Sequence, residues 1–266
     1  MSEPDLLDPA LQQLLAQAPD LAEAMARGEI ETVFQPQFTL PQDRLIGAEA
    51  LARWRHPGLG EVGAGPLFAL AEEQGLSAQL SEHVVDTALS EFARWPDHLR
   101  LSVNLMPEEV EVQGFAEAFL ARVAASAINP HRLTVEITEE VLLGDLPRAA
   151  VTLAALRDAG LRIALDDFGA GFCNFRYLKI LPLDYLKLDR AMVEGIATGP
   201  RDLAVLRGIV AMGNARGLRV IAEGIESVDQ RDLVAAEGCD TYQGFVRAAP
   251  MSADSLLALA SAQAAF

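Results

Sequence analysis

The stretch RLTVEITEEVLLGDLPRAAVTLAALRDAGLRIALDD, residues 132–167, holds one full repeat of the pattern that decides the fold. Its two apolar runs, residues 132–137 and 161–166, have the length and composition of buried strands. Between them, Pro147 stands near the start of a helical stretch and Gly160 near its end, as is usual at helix boundaries. A strand, a helix and a second strand in this order predict part of a parallel sheet.

The same alternation continues on both sides of this stretch. Further strands are predicted at residues 99–104, 184–188 and 218–222, with a short one near Thr241. Prolines stand near the starts of the other predicted helices and glycines near their ends: Pro66, Pro107, Pro200, Gly75, Gly217 and Gly238. This regular punctuation indicates repeated strand and helix units rather than separate domains of different class.

The first two predicted strands, residues 33–40 and 45–54, are joined differently. Only residues 41–44 separate them, and a turn this short can join antiparallel strands but not parallel ones. Pro36 indicates an edge or irregular first strand, because proline lacks the amide hydrogen that a sheet needs. With this pair the chain has eight predicted strands, and the absence of a glycine-rich phosphate loop favours a closed α/β barrel over an open doubly wound sheet.

Composition limits the classes of function. Of the 266 residues 51% are apolar, which suffices for one large core, and 38 acidic against 21 basic residues give a net charge of −17. This charge argues against polymeric nucleic acid and anionic membrane surfaces as partners. Two cysteines without CxxC spacing, and no uncharged apolar run near the roughly 18 residues of a membrane span, predict a soluble cytoplasmic domain. We expect residues 1–20 to form a lead-in helix or linker and residues 21–266 the domain.

Polar side chains recur where the predicted strands end. They are Glu49, Asn104, Glu136, Asp166, Asp167, Lys187, Glu223 and Gln243. In a barrel these ends share one rim, so five carboxylates would meet there. Like charges about 4 Å apart repel by about 4 kcal/mol at an effective dielectric constant of 20. One lysine cannot neutralise five carboxylates, so cations are expected, and oxygen ligands favour Mg²⁺ or Mn²⁺. There are more carboxylates than one ion needs, which suggests two ions. Two ions at one site are typical of phosphodiester hydrolysis.

The motifs around these residues resemble those of the EAL family of cyclic di-GMP phosphodiesterases. In the family's order they are Phe34-Gln35-Pro36, Glu49-Ala50-Leu51, Ser102-Val103-Asn104-Leu105, Glu136-Ile137-Thr138-Glu139, Asp166-Asp167-Phe168-Gly169, Leu186-Lys187-Leu188-Asp189, Ala222-Glu223-Gly224-Ile225-Glu226 and Gln243-Gly244-Phe245. The resemblance implies a TIM-like (βα)8 barrel with one antiparallel strand in the opening pair. It also implies cleavage of cyclic di-GMP to linear pGpG, with Mg²⁺ or Mn²⁺ as activator and Ca²⁺ as inhibitor.

The resemblance assigns roles to individual residues. It implies that Glu49, Asn104, Glu136 and Asp166 hold one ion, and that Asp167 and Glu223, sharing Asp166, hold the other. Lys187 would position or activate the attacking water. Glu223 has been given the roles of general base and of metal ligand, and the second is physically sounder because a coordinated carboxylate is a weak base. The substrate contacts would come from Gln35, Leu51, Arg53, Glu226 and Gln243, although Arg53 could equally form a structural ion pair.

The loop after Asp167 is where the sequence departs from the family. Family members usually continue with Tyr-Ser-Ser, whereas this chain has Phe172-Cys173-Asn174, and the resemblance makes Glu139 an anchor of that loop. In the family this loop couples the metal site to homodimerisation and to regulation of the activity. The altered residues are therefore expected to affect regulation more than metal binding. A catalytically impaired cyclic di-GMP receptor, or a scaffold that binds no nucleotide, therefore stays open as an alternative. A regulatory or diguanylate-cyclase-like domain in a longer parent chain is also expected from the family.

Overall fold

The computed structural model describes residues 20–138, 145–169 and 175–264. Apart from Asp20, the predicted lead-in helix or linker lies outside these ranges, and so do Glu139 and the altered loop residues 172–174. None of the helices in the described ranges has the length and apolar character that crossing a bilayer requires.

Eight strands close into a barrel, which confirms the predicted fold class. In chain order the strands are β1 Ile30–Thr39, β2 Leu45–His56, β3 Gly60–Val62, β4 Arg100–Asn104, β5 Leu133–Thr138, β6 Arg162–Phe168, β7 Tyr185–Leu188, β8 Arg219–Ala222 and β9 Thr241–Tyr242. From β2 through β4, β5, β6, β7 and β8 to β9, neighbouring strands are parallel. The short strand β3 was not predicted. It forms an antiparallel hairpin with the end of β2 and lies outside the barrel wall.

Strand β1 closes the barrel and is antiparallel to both of its neighbours, β2 and β9. It is not an edge strand, but the predicted irregularity is present on one side. The Phe34 amide donates to the Met251 carbonyl on the β9 side, and pairing with β9 itself begins only at Phe38. Because amides alternate along a strand, the nitrogen of Pro36 faces this interrupted side, where no ladder hydrogen bond is lost.

Helices cover the outside of the barrel. They are α1 Leu21–Ala26, α2 Ala64–Glu73, α3 Ser77–Phe92, α4 Pro107–Glu111, α5 Phe115–Ala125, α6 Leu146–Asp158, α7 Phe175–Ile180, α8 Arg190–Val193, α9 Pro200–Ala215, α10 Val228–Ala236 and α11 Ala253–Ala264. The predicted punctuation is confirmed: Pro147 lies in the first turn of α6, and Gly160 follows its end with φ of 105°. The Asp145 side chain caps α6 by accepting from the Arg148 amide at 3.1 Å, which satisfies an otherwise free donor.

The main hydrophobic core lies between the barrel wall and the helices, and a second cluster lies beneath α1, α2 and the β3 hairpin. The barrel interior is different, because within the described ranges its buried apolar residues form one small cluster of Ala164, Tyr185 and Ile221. Above and below this cluster the described interior positions are mostly polar. The interior is therefore not a continuous apolar core, and polar side chains lie at both of its open ends.

Candidate active site

The carboxylates predicted from the strand ends meet at the carboxyl rim of the barrel. Oxygens of Glu49, Glu136 and Asp166 lie within 4.8 Å of one another, and so do oxygens of Asp166, Asp167 and Glu223. The two groups share Asp166. Glu136 and Asp166 lie near the carboxyl ends of β5 and β6, and Glu223 lies just after β8. Glu49 lies inside the longer β2, at the residue where its pairing with β4 ends, so all of them reach one rim.

Lys187 lies at the centre of the two groups. Its side chain is fully buried, and its Nζ lies 3.3 Å from Glu49 Oε2, 2.5 Å from Glu136 Oε2 and 2.8 Å from Asp166 Oδ2. Glu223 Oε1 is 2.7 Å away, although its orientation is not that of a hydrogen bond. One ammonium group thus contacts four carboxylates and links both groups. The sequence motifs did not predict this shared contact.

The charges are strongly coupled. Burial raises the pKa values of Glu136 and Glu223 well above their usual range, and the neighbouring carboxylates add to the effect despite Lys187. For Glu49 the cost of burial is outweighed by the Lys187 charge and by hydrogen bonds, so its pKa is lowered. Burial opposes the charge on Lys187, but its four acidic neighbours raise its pKa well above the ordinary value. Lys187 is therefore a permanent cation here and cannot accept a proton.

Asp167 reaches the site through an irregular backbone. Successive residues of a regular strand face opposite sides of the sheet, so Asp166 and Asp167 would normally point apart. The pairing of β6 with β7 shifts register between Leu165 and Phe168, and Asp167 has a left-handed φ of 54°. This bulge turns both carboxylates toward the same cavity. Burial and the nearby Asp166 charge raise the Asp167 pKa to about 6.

A chain of amide groups orients Glu49. Asn104 Nδ2 donates to Glu49 Oε1 at 2.9 Å, and Gln243 Nε2 donates to Glu49 Oε2 at 2.7 Å. Gln37 Nε2 in turn donates to Gln243 Oε1 at 3.0 Å. The sequence prediction missed Gln37. Its position two residues after Gln35, on the same face of β1, is the signal that could have identified it.

A cavity of about 400 Å³ lies above the carboxylates and includes all of the predicted substrate contacts. These residues are Gln35, Leu51, Arg53, Glu226 and Gln243. Gln35 is buried and donates from Nε2 to the Ala248 carbonyl at 2.9 Å. Arg53 lines the cavity, and its Nε also lies 3.7 Å from Glu61 Oε1.

Several cavity residues were not predicted as site residues. They are Thr138, Arg190, Gly224, Gly244, Phe245 and Pro250. Arg190 follows Asp189 directly after β7, and its Nη1 lies 3.0 Å from Glu226 Oε1. Its position after a strand end is the signal that could have identified it. Phe245 is 66% exposed, which is unusual for so large an apolar side chain.

The donor set fits divalent cations. Glu136 Oε1 is buried without a hydrogen-bond partner among the described residues. Glu223 Oε1 also lacks a hydrogen bond, although it lies 2.7 Å from the Lys187 ammonium. Buried carboxylate oxygens are rarely left in this state, since their desolvation is costly. Both belong to the two carboxylate groups, whose hard oxygen atoms match Mg²⁺ or Mn²⁺ better than softer metals.

Comparison with known proteins identifies the family. A profile of the EAL domain matches residues 18–250. The chain belongs to the EAL domain family. This EAL domain is 34% identical over 251 residues to the bifunctional diguanylate cyclase/cyclic di-GMP phosphodiesterase MucR of Pseudomonas aeruginosa, covering 93% of this chain and 37% of MucR. It is 35% identical over 254 residues to a cyclic di-GMP phosphodiesterase of the same organism, covering 94% of this chain and 43% of that protein.

Solved structures agree with the fold of this EAL domain. The MucR phosphodiesterase of P. aeruginosa in complex with c-di-GMP superposes with a TM-score of 0.85 at 34% identity, covering 92% of this chain and 100% of that one. The EAL domain of Mycobacterium smegmatis DcpA gives a TM-score of 0.76 at 28% identity, covering 88% and 98% of the two chains. The chain spans 29%, 34% and 37% of the first three curated relatives, about a third of their length.

Proposed function

We propose that this EAL domain hydrolyses one phosphodiester bond of cyclic di-GMP to give linear pGpG. The observation that carries the proposal is the pair of carboxylate groups that share Asp166 beneath the cavity. The similar MucR structure is a complex with c-di-GMP, and two relatives are named as phosphodiesterases of this dinucleotide. No observation favours the alternative of an impaired receptor, because the full acidic set is present.

In this proposal one divalent ion is held by Glu49, Asn104, Glu136 and Asp166. A second ion is held by Asp166, Asp167 and Glu223. Bound there, Mg²⁺ or Mn²⁺ would supply Lewis acidity and lower the pKa of water at the phosphate. The buried Glu136 Oε1, which has no hydrogen-bond partner among the described residues, supports this assignment. We expect Ca²⁺ to bind and to inhibit.

Lys187 acts electrostatically. Its raised pKa keeps it protonated, so it donates hydrogen bonds and stabilises negative charge that develops on the phosphate, but it does not remove a proton from water. The buried Glu223 has a raised pKa, which makes it a poor anion without a nearby cation. A ligand role for Glu223 is consistent with this, since a cation would return it to the ionised form.

The shape of the rim suits a substrate with two bulky halves. A second cavity of about 420 Å³ shares Leu51, Asn104, Thr138 and Asp167 with the first. The two cavities are therefore adjacent and meet beside the carboxylates. Arg53 and Arg190 bring positive charge to the first cavity, where they can contact phosphate oxygens, while Gln35 and Leu51 provide polar and apolar contacts.

The decisive test is a turnover assay with varied metal. Purified protein with Mn²⁺ or Mg²⁺ should convert cyclic di-GMP to pGpG, and EDTA should stop the reaction. Glu49→Ala should lower kcat at least about 100-fold, because it removes one candidate ligand and its hydrogen bonds. Glu73→Ala, an exposed position on α2, is the matched control and should keep full activity. Tight binding without turnover under every metal would select the receptor, and no binding with Ca²⁺ would select the scaffold.

The setting of the domain is also proposed. A cytoplasmic location fits the acidic composition, and a homodimer follows from the family resemblance. The short span relative to the curated relatives supports a longer parent chain with a regulatory or diguanylate-cyclase-like domain. Mass measurement in solution, with and without cyclic di-GMP and Ca²⁺, tests the dimer.

A further inference from the structure

The opposite mouth of the barrel carries three arginines at matching positions. Arg100, Arg162 and Arg219 are the first residues of β4, β6 and β8. Each stands four residues before a candidate metal ligand, namely Asn104, Asp166 and Glu223. Residues two and four apart along a strand share a face, so the arginines belong to the same inward columns as the ligands. At about 3.3 Å per residue they lie about 13 Å below the rim.

The three guanidinium groups are only partly neutralised. Arg162 Nη1 lies 3.2 Å from Asp184 Oδ1, but Asp184 also accepts from Arg157 and from the Ile163 amide. Arg100 Nη1 donates to the neutral Tyr185 hydroxyl at 2.6 Å. Arg219 makes no side-chain hydrogen bond or ion pair with any residue in the described ranges. With Arg157 the cluster thus has four cations facing one carboxylate.

These side chains surround a cavity of about 180 Å³, which we call the arginine basin. It is lined by Arg100, Arg162, Asp184, Tyr185, Gly217 and Arg219. A smaller cavity of about 30 Å³ lies further inside and shares Arg100, Tyr185 and Arg219 with the basin. This smaller cavity is also lined by Thr241, whose buried Oγ1 has no hydrogen-bond partner among the described residues. Its volume is enough for one water molecule, which would satisfy that hydroxyl.

We propose that the arginine basin binds a phosphate-class dianion, either inorganic phosphate or pyrophosphate or the terminal phosphate of a nucleotide. Guanidinium groups present planar pairs of donors that match phosphate oxygens, and three of them converge from alternate strands. In a chain of net charge −17, four arginines around one carboxylate are a local exception, and their positive potential attracts anions to this mouth of the barrel. This site is separate from the rim and does not depend on the proposed hydrolysis.

The basin accounts for the polar residues at the mouth of the barrel opposite the rim. The cluster of Ala164, Tyr185 and Ile221 separates the basin from the rim. A bound dianion would neutralise the mutual repulsion of the arginines in the same way as cations would neutralise the carboxylates above. Binding to the folded chain alone would therefore raise its thermal stability, and the rise would continue with the logarithm of the ligand concentration once the site is saturated.

The test measures binding of phosphate, pyrophosphate and GMP to the full chain in EDTA, by calorimetry and thermal shift, at constant ionic strength set with chloride. We expect saturable binding with a dissociation constant below about 1 mM for at least one of the three. Tighter binding of inorganic anions would identify a free phosphate site, and tighter binding of GMP a nucleotide site. No saturable binding by any of them overturns the proposal.

Matched variants locate the binding. Arg219→Gln should weaken it at least about tenfold, because this guanidinium has the fewest competing contacts. Arg201→Gln, an exposed position on α9, makes the same charge change and should leave the affinity unchanged. Equal affinity in Arg219→Gln and the parent chain would place the anion elsewhere and refute the basin. Turnover of cyclic di-GMP by Arg219→Gln should stay within about twofold of the parent, which separates this result from failure of the rim site.

Discussion

Lys187 shows at the residue scale how a single buried cation organises the candidate site. It contacts four carboxylates that belong to two groups, and its side chain has no exposure to solvent. Burying a charge is costly unless it is paired, and here the pairing is mutual. The lysine lowers the electrostatic cost of gathering the acids, and the acids retain the lysine in its charged form.

We predict that Lys187→Met destabilises the metal-free protein by about 3–5 kcal/mol at pH 8, as expected when one partner of a buried ionic cluster is removed. The loss should be smaller at pH 5, where the raised-pKa carboxyls Glu136 and Glu223 can protonate. Urea unfolding in EDTA measures both values. Lys179→Met removes the chain's other lysine, which is exposed, and should change stability little. Equal effects of the two substitutions would contradict the central role of Lys187.

The raised pKa of Asp167 predicts a definite pH dependence. Because its pKa is about 6 in the fold and 3.8 is its ordinary value, the folded state holds more protons than the unfolded state between these limits. Its contribution to stability is therefore present below about pH 4 and is lost as pH rises through about 6. Thermal unfolding of the chain in EDTA should show this decline, and Asp167→Asn should reduce it. Mn²⁺ should oppose the decline, since it favours the ionised carboxylates.

At the scale of elements, the contact between β2 and β4 sets the position of Glu49. Gly47 pairs with Arg100, and a Cβ atom on Gly47 would lie 2.4 Å from the Arg100 carbonyl oxygen. That oxygen belongs to the backbone, so it cannot move aside without displacing the strand. Only glycine therefore allows β2 to approach β4 at this level, two residues before a candidate metal ligand.

We predict that Gly47→Ala destabilises the domain by about 1–3 kcal/mol, the usual range for overpacking. It should also weaken Mn²⁺ binding, because β2 carries Glu49 away from Asn104. Chemical unfolding and metal titration measure the two effects. Gly208→Ala is the control, since no atom would contact its Cβ in α9 and alanine favours helix by up to about 1 kcal/mol. An unchanged Gly47→Ala protein would show that β2 and β4 can separate freely.

At the scale of the whole molecule, the core between barrel and helices should open only on global unfolding. Cys239 is buried within that core, and burial together with the Asp240 and Glu237 charges raises its thiol pKa to about 12. In a Cys173→Ser background we predict that a thiol reagent at pH 8 labels Cys239 only in proportion to the unfolded fraction. Labelling followed across a urea titration measures this. Rapid stoichiometric labelling in native buffer would indicate local opening beside α10.

Much of the fold could be predicted because its pattern is local. Strand and helix alternate with proline and glycine at the helix boundaries, and a turn of four residues can join only antiparallel strands, so the barrel and its reversed β1 were predictable. The short β3 hairpin was not, because three residues carry too weak a pattern. Most metal-ligand candidates could be found for the same reason, since they stand where a predicted strand ends, whereas Glu49 lies inside one.

By itself, then, the sequence determined the order of the strands and helices, the rim at which the acidic residues collect and the family to which the chain belongs. Only the tertiary structure decided that Lys187 contacts four acids at once, that a bulge turns Asp167 toward Asp166, and that Gln37 orients Glu49 through Gln243. It also decided that Arg100, Arg162 and Arg219 converge at the other mouth. The physical reason is that the position of a strand follows from the local pattern of apolar residues. The partners of a side chain depend instead on the register between strands that are distant in sequence, and on the electrostatic interactions among all of the buried charges.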